Sequence, residues 1–380
     1  MSTLETTPSL VALAQGLEAD TLAEARRTME VCNACRYCEG YCAVFPAMEL
    51  HRQFSDADLV HLANLCHGCK GCYYACQYAP PHPFGLNVPR TFADLRRESY
   101  EAFAWPAPLA RLFQRNGLFV SLATAVALIV TMALSTLLIS PERLFGVHRG
   151  PGSFYSVVPY DVMVWVATLT FGFAVLALGM GLRNYWATAG RKAIGWKSLA
   201  LALHDALTLR HLSGGGHGCN DTDEGFTQGR RWLHQAMMWG FLLCFASTSV
   251  ATVYDHLLGW IAPYSWYSLP VLLGTVGGVG LTVGSGGLFW LKLRTDPEPL
   301  SPRNLGMDAG LLALLFLVAT TGLALLFFRH TSAMGMLLVI HLGVVLAFFL
   351  TLPYGKFVHG IYRFAALVRD HADCRAGDSA

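Results

Sequence analysis

The pattern of apolar positions divides the 380-residue chain into a polar N-terminal part and a longer apolar part. Six apolar stretches are long enough to cross a bilayer as a helix, which takes about 20 residues. We predict spans near residues 117–139, 161–182, 235–257, 268–291, 309–328 and 334–352. Pro353 interrupts the last stretch, and we expect a helix to continue from there towards Arg363. The pattern therefore predicts a bundle of six membrane helices.

Basic residues are concentrated on one side of this bundle. That side has Arg183, Arg191, Lys192, Lys197, Arg210, Arg230 and Arg231 after the second span, Lys292, Arg294 and Arg303 after the fourth, and Lys356, Arg363 and Arg369 near the C-terminus. The opposite side has only Arg143, Arg149 and Arg329. Because cytoplasmic loops are rich in Lys and Arg, we expect a multi-pass protein of the bacterial inner membrane with both termini in the cytoplasm.

Composition narrows the picture further. The chain is 54% hydrophobic and only 14% charged, and its net charge of +2 is too small to indicate a nucleic-acid partner. Residues 1–31 show neither the apolar core nor the cleavage site of a secretory signal. We therefore expect the N-terminal part to stay in the reducing cytoplasm, where clustered cysteines indicate a metal site more often than disulfides.

Eight of the eleven cysteines form two runs with the same spacing. The first run is Cys32-x2-Cys35-x2-Cys38-x3-Cys42, and the second is Cys66-x2-Cys69-x2-Cys72-x3-Cys76. This repeat is the signature of bacterial ferredoxins with two [4Fe–4S] clusters, in which the fourth cysteine of each run ligates the other cluster. The spacing predicts one cluster on Cys32, Cys35, Cys38 and Cys76, and a second on Cys66, Cys69, Cys72 and Cys42.

The segment between the runs bears on the fold. Its apolar residues recur at helical rather than strand-like intervals between Ala43 and Leu65. We therefore predict an all-α chain, with an α-helical ferredoxin-like domain over residues 1–105 and a six-span transmembrane domain over residues 106–380. Neither cysteine run lacks a ligand, so we expect the clusters to carry electrons and not to bind substrate.

Four histidines lie at or within the ends of predicted spans, where ionisable groups are costly and usually functional. His234 and His256 belong to the third span, and His341 and His359 to the sixth. At about 100° per residue, each pair lies on one face of its helix. Because the two spans run in opposite directions, His234 meets His359 on the cytoplasmic side and His256 meets His341 on the other. We predict that His234 and His359 ligate a haem b, and that His256 and His341 are candidates for a second one.

Glycines mark two further segments. The fourth span is rich in glycine, which favours close packing of membrane helices, and close approach of a porphyrin is compatible with that. The glycine-rich segment from Gly214 to Cys219 is too flexible to be a preorganised metal site, and we expect it to dock a soluble partner.

These motifs together resemble the tricarballylate (citrate) utilization protein B family, TcuB or CitB. The resemblance rests on the double cysteine run with Phe45-Pro46, the Gly214–Cys219 segment, Arg230-Arg231-x-x-His234, the stretch from Pro270 to Gly287, and Pro353-Tyr354-Gly355-Lys356-Phe357-x-His359. It implies an electron-transfer protein that reoxidises the reduced FAD of a partner flavoprotein, a TcuA-like tricarballylate dehydrogenase, and passes electrons to membrane quinone. It also implies clusters on the cysteines and haem b on the paired histidines, with the substrate chemistry in the partner.

Other functions fit the same motifs. The sixth span is similar to the haem-ligand helix of nitrate reductase γ subunits, in which the partner helix carries two histidines ten positions apart. Ten positions after His234 this chain has Cys244, so the second haem ligand of that pattern is absent or moves to His256. One alternative is therefore a quinol-oxidising subunit that feeds a cytoplasmic reductase, nitrate reductase γ-like or heterodisulfide reductase-like. Another is a membrane redox sensor without quinone turnover.

Overall fold

The computed structural model describes residues 17–188 and 194–378, with side chains described as far as residue 374. Residues 1–16 and the basic pair Arg191 and Lys192 lie outside the described residues. The described part of the chain is almost entirely helical, and the all-α prediction is confirmed. The exception is a short antiparallel hairpin of β1 (Cys219–Asn220) and β2 (Phe226–Thr227).

The N-terminal domain, called the head below, contains five helices. They are α1 (Ala19–Cys35), α2 (Val44–Glu49), α3 (Asp56–Leu65), α4 (Gly71–Tyr74) and α5 (Val88–Phe103). α3 begins at a capping box, in which the Ser55 side chain accepts from the Asp58 amide and the Asp58 carboxylate accepts from the Ser55 amide. α5 begins where Asn87 caps the amide of Arg90. The first cysteine run starts in the last turn of α1 and the second directly follows α3, so these helices fix where each run starts.

The remaining helices form the bundle and its connections. They are α6 (Asn116–Leu138), α7 (Pro141–Leu144), α8 (Tyr160–Thr188), α9 (Trp196–Thr208), α10 (Gly229–Leu258), α11 (Leu269–Arg294), α12 (Leu305–Phe328), α13 (Met334–Thr351) and α14 (Val358–Asp378). Six of them, α6, α8, α10, α11, α12 and α13, are long and apolar enough to cross a membrane, and the predicted six-helix bundle is confirmed. Their outward side chains, such as Leu137, Trp165 and Val276, are more than half exposed, as a lipid-facing surface requires.

The sixth span changes direction where the sequence has Pro353. α13 ends at Thr351, a 3₁₀ turn covers Leu352–Tyr354, and α14 starts at Val358. α14 then packs under the head, where the Tyr362 ring stacks on Tyr100 with centroids 5.5 Å apart. Buried residues of the head, including Leu62 and Phe92, belong to the same apolar core as α14. The head is therefore fixed to one end of the bundle by a continuous core.

The glycines of α11 lie against α10, which carries His234. A Cβ atom added at Gly277 would lie 2.8 Å from the Cys244 amide nitrogen, and one at Gly284 would overlap the backbone of Met237. Gly240 on α10 makes the same close approach to the backbone of Leu281. The small residues thus let two membrane helices touch backbone to backbone, which fixes α10 relative to its neighbour.

We expect Gly284→Ala to destabilise the protein by about 1–3 kcal/mol, because the added methyl group forces α10 and α11 apart. The measurement is thermal unfolding of the detergent-solubilised protein. Gly179→Ala on α8 is the matched control, since a Cβ at Gly179 would meet no atom within 4 Å. Equal melting temperatures for the two variants would show that the α10–α11 contact tolerates a larger separation.

Candidate metal-cofactor site

The first cysteine run surrounds a cavity of about 280 Å³ at the end of α1. Cysteines of both runs line this cavity: Cys32, Cys35, Cys38, Cys72 and Cys76. Apolar side chains from α2 and from the start of α5, Phe45 and Val88 among them, close its inner wall. The cavity thus brings Cys76, the last cysteine of the second run, to the first run.

The electrostatic neighbours of the thiols follow the same crossed arrangement. Burial raises the pKa of Cys32 to about 12, and the next contribution comes from Cys76. Burial likewise raises the pKa of Cys42 well above its ordinary value, and the neighbours that add to this shift most are Cys69 and Cys66 of the other run. Because metal ligands must be thiolates, a bound metal cation would favour ionisation of these buried thiols against the effect of burial.

The thiols are not arranged around a single ion. Within residues 17–188 and 194–374, no three His, Cys, Asp or Glu side chains converge closely enough to hold one metal ion. A cubane cluster keeps its four cysteine sulfurs farther apart than one ion does, because each sulfur binds a different iron. The described side chains therefore show no preformed site for a single ion such as zinc.

Three arginines hold the second cysteine run by its backbone. Arg96 of α5 and Arg363 of α14 donate to the Cys66 carbonyl oxygen at 2.5 and 2.9 Å. Arg230 of α10 donates to the carbonyl oxygen of Gly68 at 2.5 Å. Hydrogen bonds from charged donors are stronger than neutral ones, so this loop is tied firmly to both the head and the bundle.

The β1–β2 hairpin covers the other side of this run. The Asn220 amide donates to the Cys69 carbonyl oxygen at 3.0 Å, and Lys70 Nζ donates to the Asp221 carbonyl oxygen at 3.0 Å. The preceding glycines reach the first run, where Gly215, with φ +77°, lies against Gly40. The glycine-rich segment, expected to dock a soluble partner, therefore also closes the two cysteine runs within its own chain.

His234 and His359 face each other below the second cysteine run. Their ring centroids are 6.3 Å apart and the ring planes are inclined at 79°. His359 Nδ1 lies 2.5 Å from the Lys356 carbonyl oxygen, which can only accept, so in the neutral ring Nδ1 carries the proton and Nε2 keeps its lone pair. His234 Nδ1 is buried and has no hydrogen-bond partner among the described residues. The structure therefore brings together this predicted histidine pair.

His256 and His341 have separate environments. His256 Nδ1 lies 3.1 Å from the Tyr160 hydroxyl at the far end of the bundle, where that hydroxyl also donates to Asp255. His341 Nδ1 lies 3.0 Å from the Thr321 hydroxyl of α12. No ring contact joins His256 to His341 in the described part of the chain, so their pairing on a second haem stays a prediction.

A cavity of about 330 Å³ lies between the second cysteine run and the histidine pair. Its wall contains both histidines, six cationic side chains (Lys70, Arg96, Arg230, Lys292, Lys356 and Arg363) and two carboxylates (Asp221 and Asp308). Asp308 lies between two of the lysines, with Oδ2 at 2.5 Å from Lys292 Nζ and Oδ1 at 2.9 Å from Lys356 Nζ. From the sequence, these lysines were markers of membrane orientation only, and Asp308 was not predicted as a site residue. A carboxylate in an apolar span is itself a signal of function.

Together these features define a multi-pass membrane protein with a ferredoxin-like cysteine domain. The chain belongs to the citrate utilization protein B family. Residues 25–102 match the family model described as "Citrate utilization protein B Fer4-like domain", and residues 111–380 match "Citrate utilization protein B". An Escherichia coli protein named citrate utilization protein B is 46% identical over 363 residues, and the match covers 94% of each chain. No solved structure matches the chain.

Another polar cluster, centred on Asp205, fixes α14 and with it His359. Asp205 is buried on α9. Its Oδ2 lies within hydrogen-bond distance of two histidines, at 3.0 Å from His371 Nε2 and 3.2 Å from His211 Nε2. Burial raises the pKa of Asp205, but the hydrogen bonds from these histidines and His204 outweigh it and lower the pKa. Burial lowers the pKa of His211, and the Asp205 charge opposes that shift. The cluster joins α9 to the C-terminal helix.

Acidification is expected to weaken this junction. A histidine whose pKa is lower in the folded state makes folding less favourable as pH falls below its ordinary value of about 6.5. Asp205→Asn removes the negative charge that favours protonated His211. The neighbouring His67 ring remains, as does Arg210, whose charge lowers the pKa of His211. We expect the variant to be less stable at pH 7 by about 1–3 kcal/mol, and to lose more stability than wild type between pH 7 and pH 5.

Thermal unfolding in detergent at the two pH values measures this difference. His204→Asn is the control, because His204 also contacts Asp205 but its side chain is 66% exposed, so its removal should change stability less than Asp205→Asn does. The same pH response in wild type and Asp205→Asn would mean that His211 does not titrate against Asp205.

Proposed function

We propose that this chain is a membrane electron-transfer subunit that takes electrons from the reduced FAD of a partner dehydrogenase and delivers them to the quinone pool. The observation that carries the proposal is the arginine connection between the second cysteine run and the histidine pair. Arg230 precedes His234 by four residues on α10, and Arg363 follows His359 by four residues on α14. Each helix therefore places a histidine and an arginine one turn apart, and each arginine binds the 66–68 backbone.

The cysteines of the head would hold two [4Fe–4S] clusters. Cys32, Cys35, Cys38 and Cys76 would bind one cluster, and Cys66, Cys69, Cys72 and Cys42 the other, as the lining of the cavity and the charge neighbours of the thiols support. Clusters and haem, when bound, each exchange one electron at a time. The structure buries Cys66 and Cys69 at the start of the second run, and this would favour transfer between fixed groups over side reactions with solvent.

His234 and His359 would hold haem b. Two imidazoles on opposite sides of one ion have ring centres roughly 6 Å apart when each metal–nitrogen bond is about 2 Å long. The 6.3 Å between these two rings fits that requirement. The hydrogen bond from His359 to the Lys356 carbonyl orients the ring for metal binding. A second haem on His256 and His341 remains part of the proposal and is counted by the experiment below.

The orientation follows from charge. The end of the bundle that packs against the head carries Arg230, Lys292, Arg294, Arg303 and Lys356, whereas the described far end carries Arg143, Arg149 and Arg329. By the positive-inside rule, the head would lie in the cytoplasm and the six spans in the inner membrane. A flavoprotein would then reach the clusters from the cytoplasm, and quinone would reach the bundle from the bilayer.

The family supports a proposal for the partner and its substrate. The Escherichia coli relative is named for citrate utilization, and we propose a TcuA-like, FAD-dependent tricarballylate dehydrogenase as the donor. Two electrons would leave the reduced flavin one at a time, and two electrons with two protons would convert quinone to quinol. The oxidation of the substrate itself would take place in the partner.

A test of the haem site is a reduced-minus-oxidised visible spectrum of anaerobically purified protein, with haem quantified as the pyridine haemochrome. We expect a low-spin b-type spectrum that His234→Ala and His359→Ala each diminish by one haem per chain. His148→Ala is the control, since that ring binds the Arg143 carbonyl in an outer loop. A remaining haem that disappears in His341→Ala would identify the second site, and full haem in both His234→Ala and His359→Ala would exclude the first.

A test of the crossed clusters is the content of non-haem iron, expected at roughly eight per chain for two [4Fe–4S] clusters. Cys32→Ala/Cys76→Ala should lose about half of this iron, because both cysteines serve one cluster. Cys66→Ala/Cys76→Ala should lose nearly all of it, and Cys374→Ser, at an exposed position, none. The reverse order of the two double variants would mean that each run ligates its own cluster.

A further inference from the structure

The cavity around His234 and His359 has an excess of positive charge. Six cationic side chains face two carboxylates across its wall. A buried charge without a counter-charge is costly in a low-dielectric environment, and this cavity lies at the boundary of the membrane. Such a wall fits an anionic occupant.

Two lysines of this wall share one carboxylate and keep ammonium protons for a second anion. Arg96, Arg230 and Arg363 donate to backbone carbonyls of the second cysteine run, which fixes where these guanidinium groups point. Lys292 and Lys356 instead share the single carboxylate of Asp308, and both lysines line the cavity with about a fifth of the side chain exposed. One carboxylate cannot neutralise two ammonium groups.

These lysines are placed beside the two histidines. Lys356 precedes His359 by three residues, and its carbonyl oxygen binds the ring of that histidine. Lys292 is at the end of α11, the helix that packs backbone to backbone on the helix of His234. The histidine pair and the lysine pair are thus held by the same helices.

We propose that Lys292 and Lys356 bind the two propionate carboxylates of the haem held by His234 and His359, and that Asp308 positions the lysines. This inference rests on the proposed haem site. Ammonium–carboxylate pairs are short, charge-assisted hydrogen bonds, and they are stronger away from water. In this arrangement Lys356 orients the iron ligand through its carbonyl and binds the porphyrin edge through its ammonium group.

The experiment compares haem with haem dimethyl ester, in which both carboxylates are esterified. Full-length protein from haem-deficient cells, loaded with clusters and solubilised in detergent, is titrated with each compound, and binding is followed by the Soret band. We expect wild type to bind haem roughly tenfold or more tightly than the ester, which corresponds to about 1.4 kcal/mol. Lys292→Met/Lys356→Met should bind both compounds with similar affinity. Lys356→Arg, which keeps the positive charge, should retain more of the preference for haem than Lys356→Met does.

Arg294→Met is the matched control, because Arg294 is a cation at the same end of α11 but lies over the Trp290 ring on the surface. It should keep the preference for haem. Equal binding of haem and ester by wild type, or an unchanged preference in the lysine double variant, would overturn the proposal and leave the haem site standing. No low-spin spectrum with either compound would mean that the haem site itself is wrong. If anionic phospholipid added to the micelles abolishes the preference, the lysines bind lipid phosphate and the assignment is overturned.

Discussion

The hydrogen bonds from three guanidinium groups to the backbone of residues 66–68 determine how the rest of the structure is arranged. Arg96, Arg230 and Arg363 come from the head, from α10 and from α14, and all three converge on one loop of the second cysteine run. A loop so close to the membrane must satisfy its carbonyl groups without water, and charged donors do this most strongly. The same bonds fix the distance between the cysteines and the histidine pair, and the proposed electron transfer would depend on that distance.

The apolar core adds a second constraint. The proposed boundary near residue 105 falls between α5 and α6, yet the buried residues of the head and of α14 form one core across it. Tyr100 and Tyr362 stack at its centre. A head attached only by a linker would sample many orientations, whereas this one has a single position against the bundle. The position of the cysteines relative to the histidines therefore depends on this packing as well as on the hydrogen bonds of the three arginines.

Much of this arrangement could be predicted from the sequence because its signals are local. Apolar length identified six spans, and the repeated spacing identified two cysteine runs. Helical periodicity and the opposite directions of two spans predicted that His234 and His359 meet at one end of the bundle. The Lys292–Asp308–Lys356 cluster could not be predicted in this way, because its members come from three different helices. Nor could the partners of Arg230 and Arg363, since a backbone carbonyl has no signature in the sequence. The Gly214–Cys219 segment was judged by its flexible composition, whereas its contacts with both cysteine runs depend on tertiary packing.

The four-residue separation of arginine and histidine limits how this protein can vary. Arg230 and His234, like His359 and Arg363, share a helix face only because one turn separates them. Inserting or deleting a single residue between the members of either pair would rotate one of them by about 100°, away from either the cysteine loop or the facing imidazole. Substitutions can be tolerated in these two turns, but changes of length cannot. Within these two turns, the number of residues between arginine and histidine is more strongly constrained than the identity of those residues.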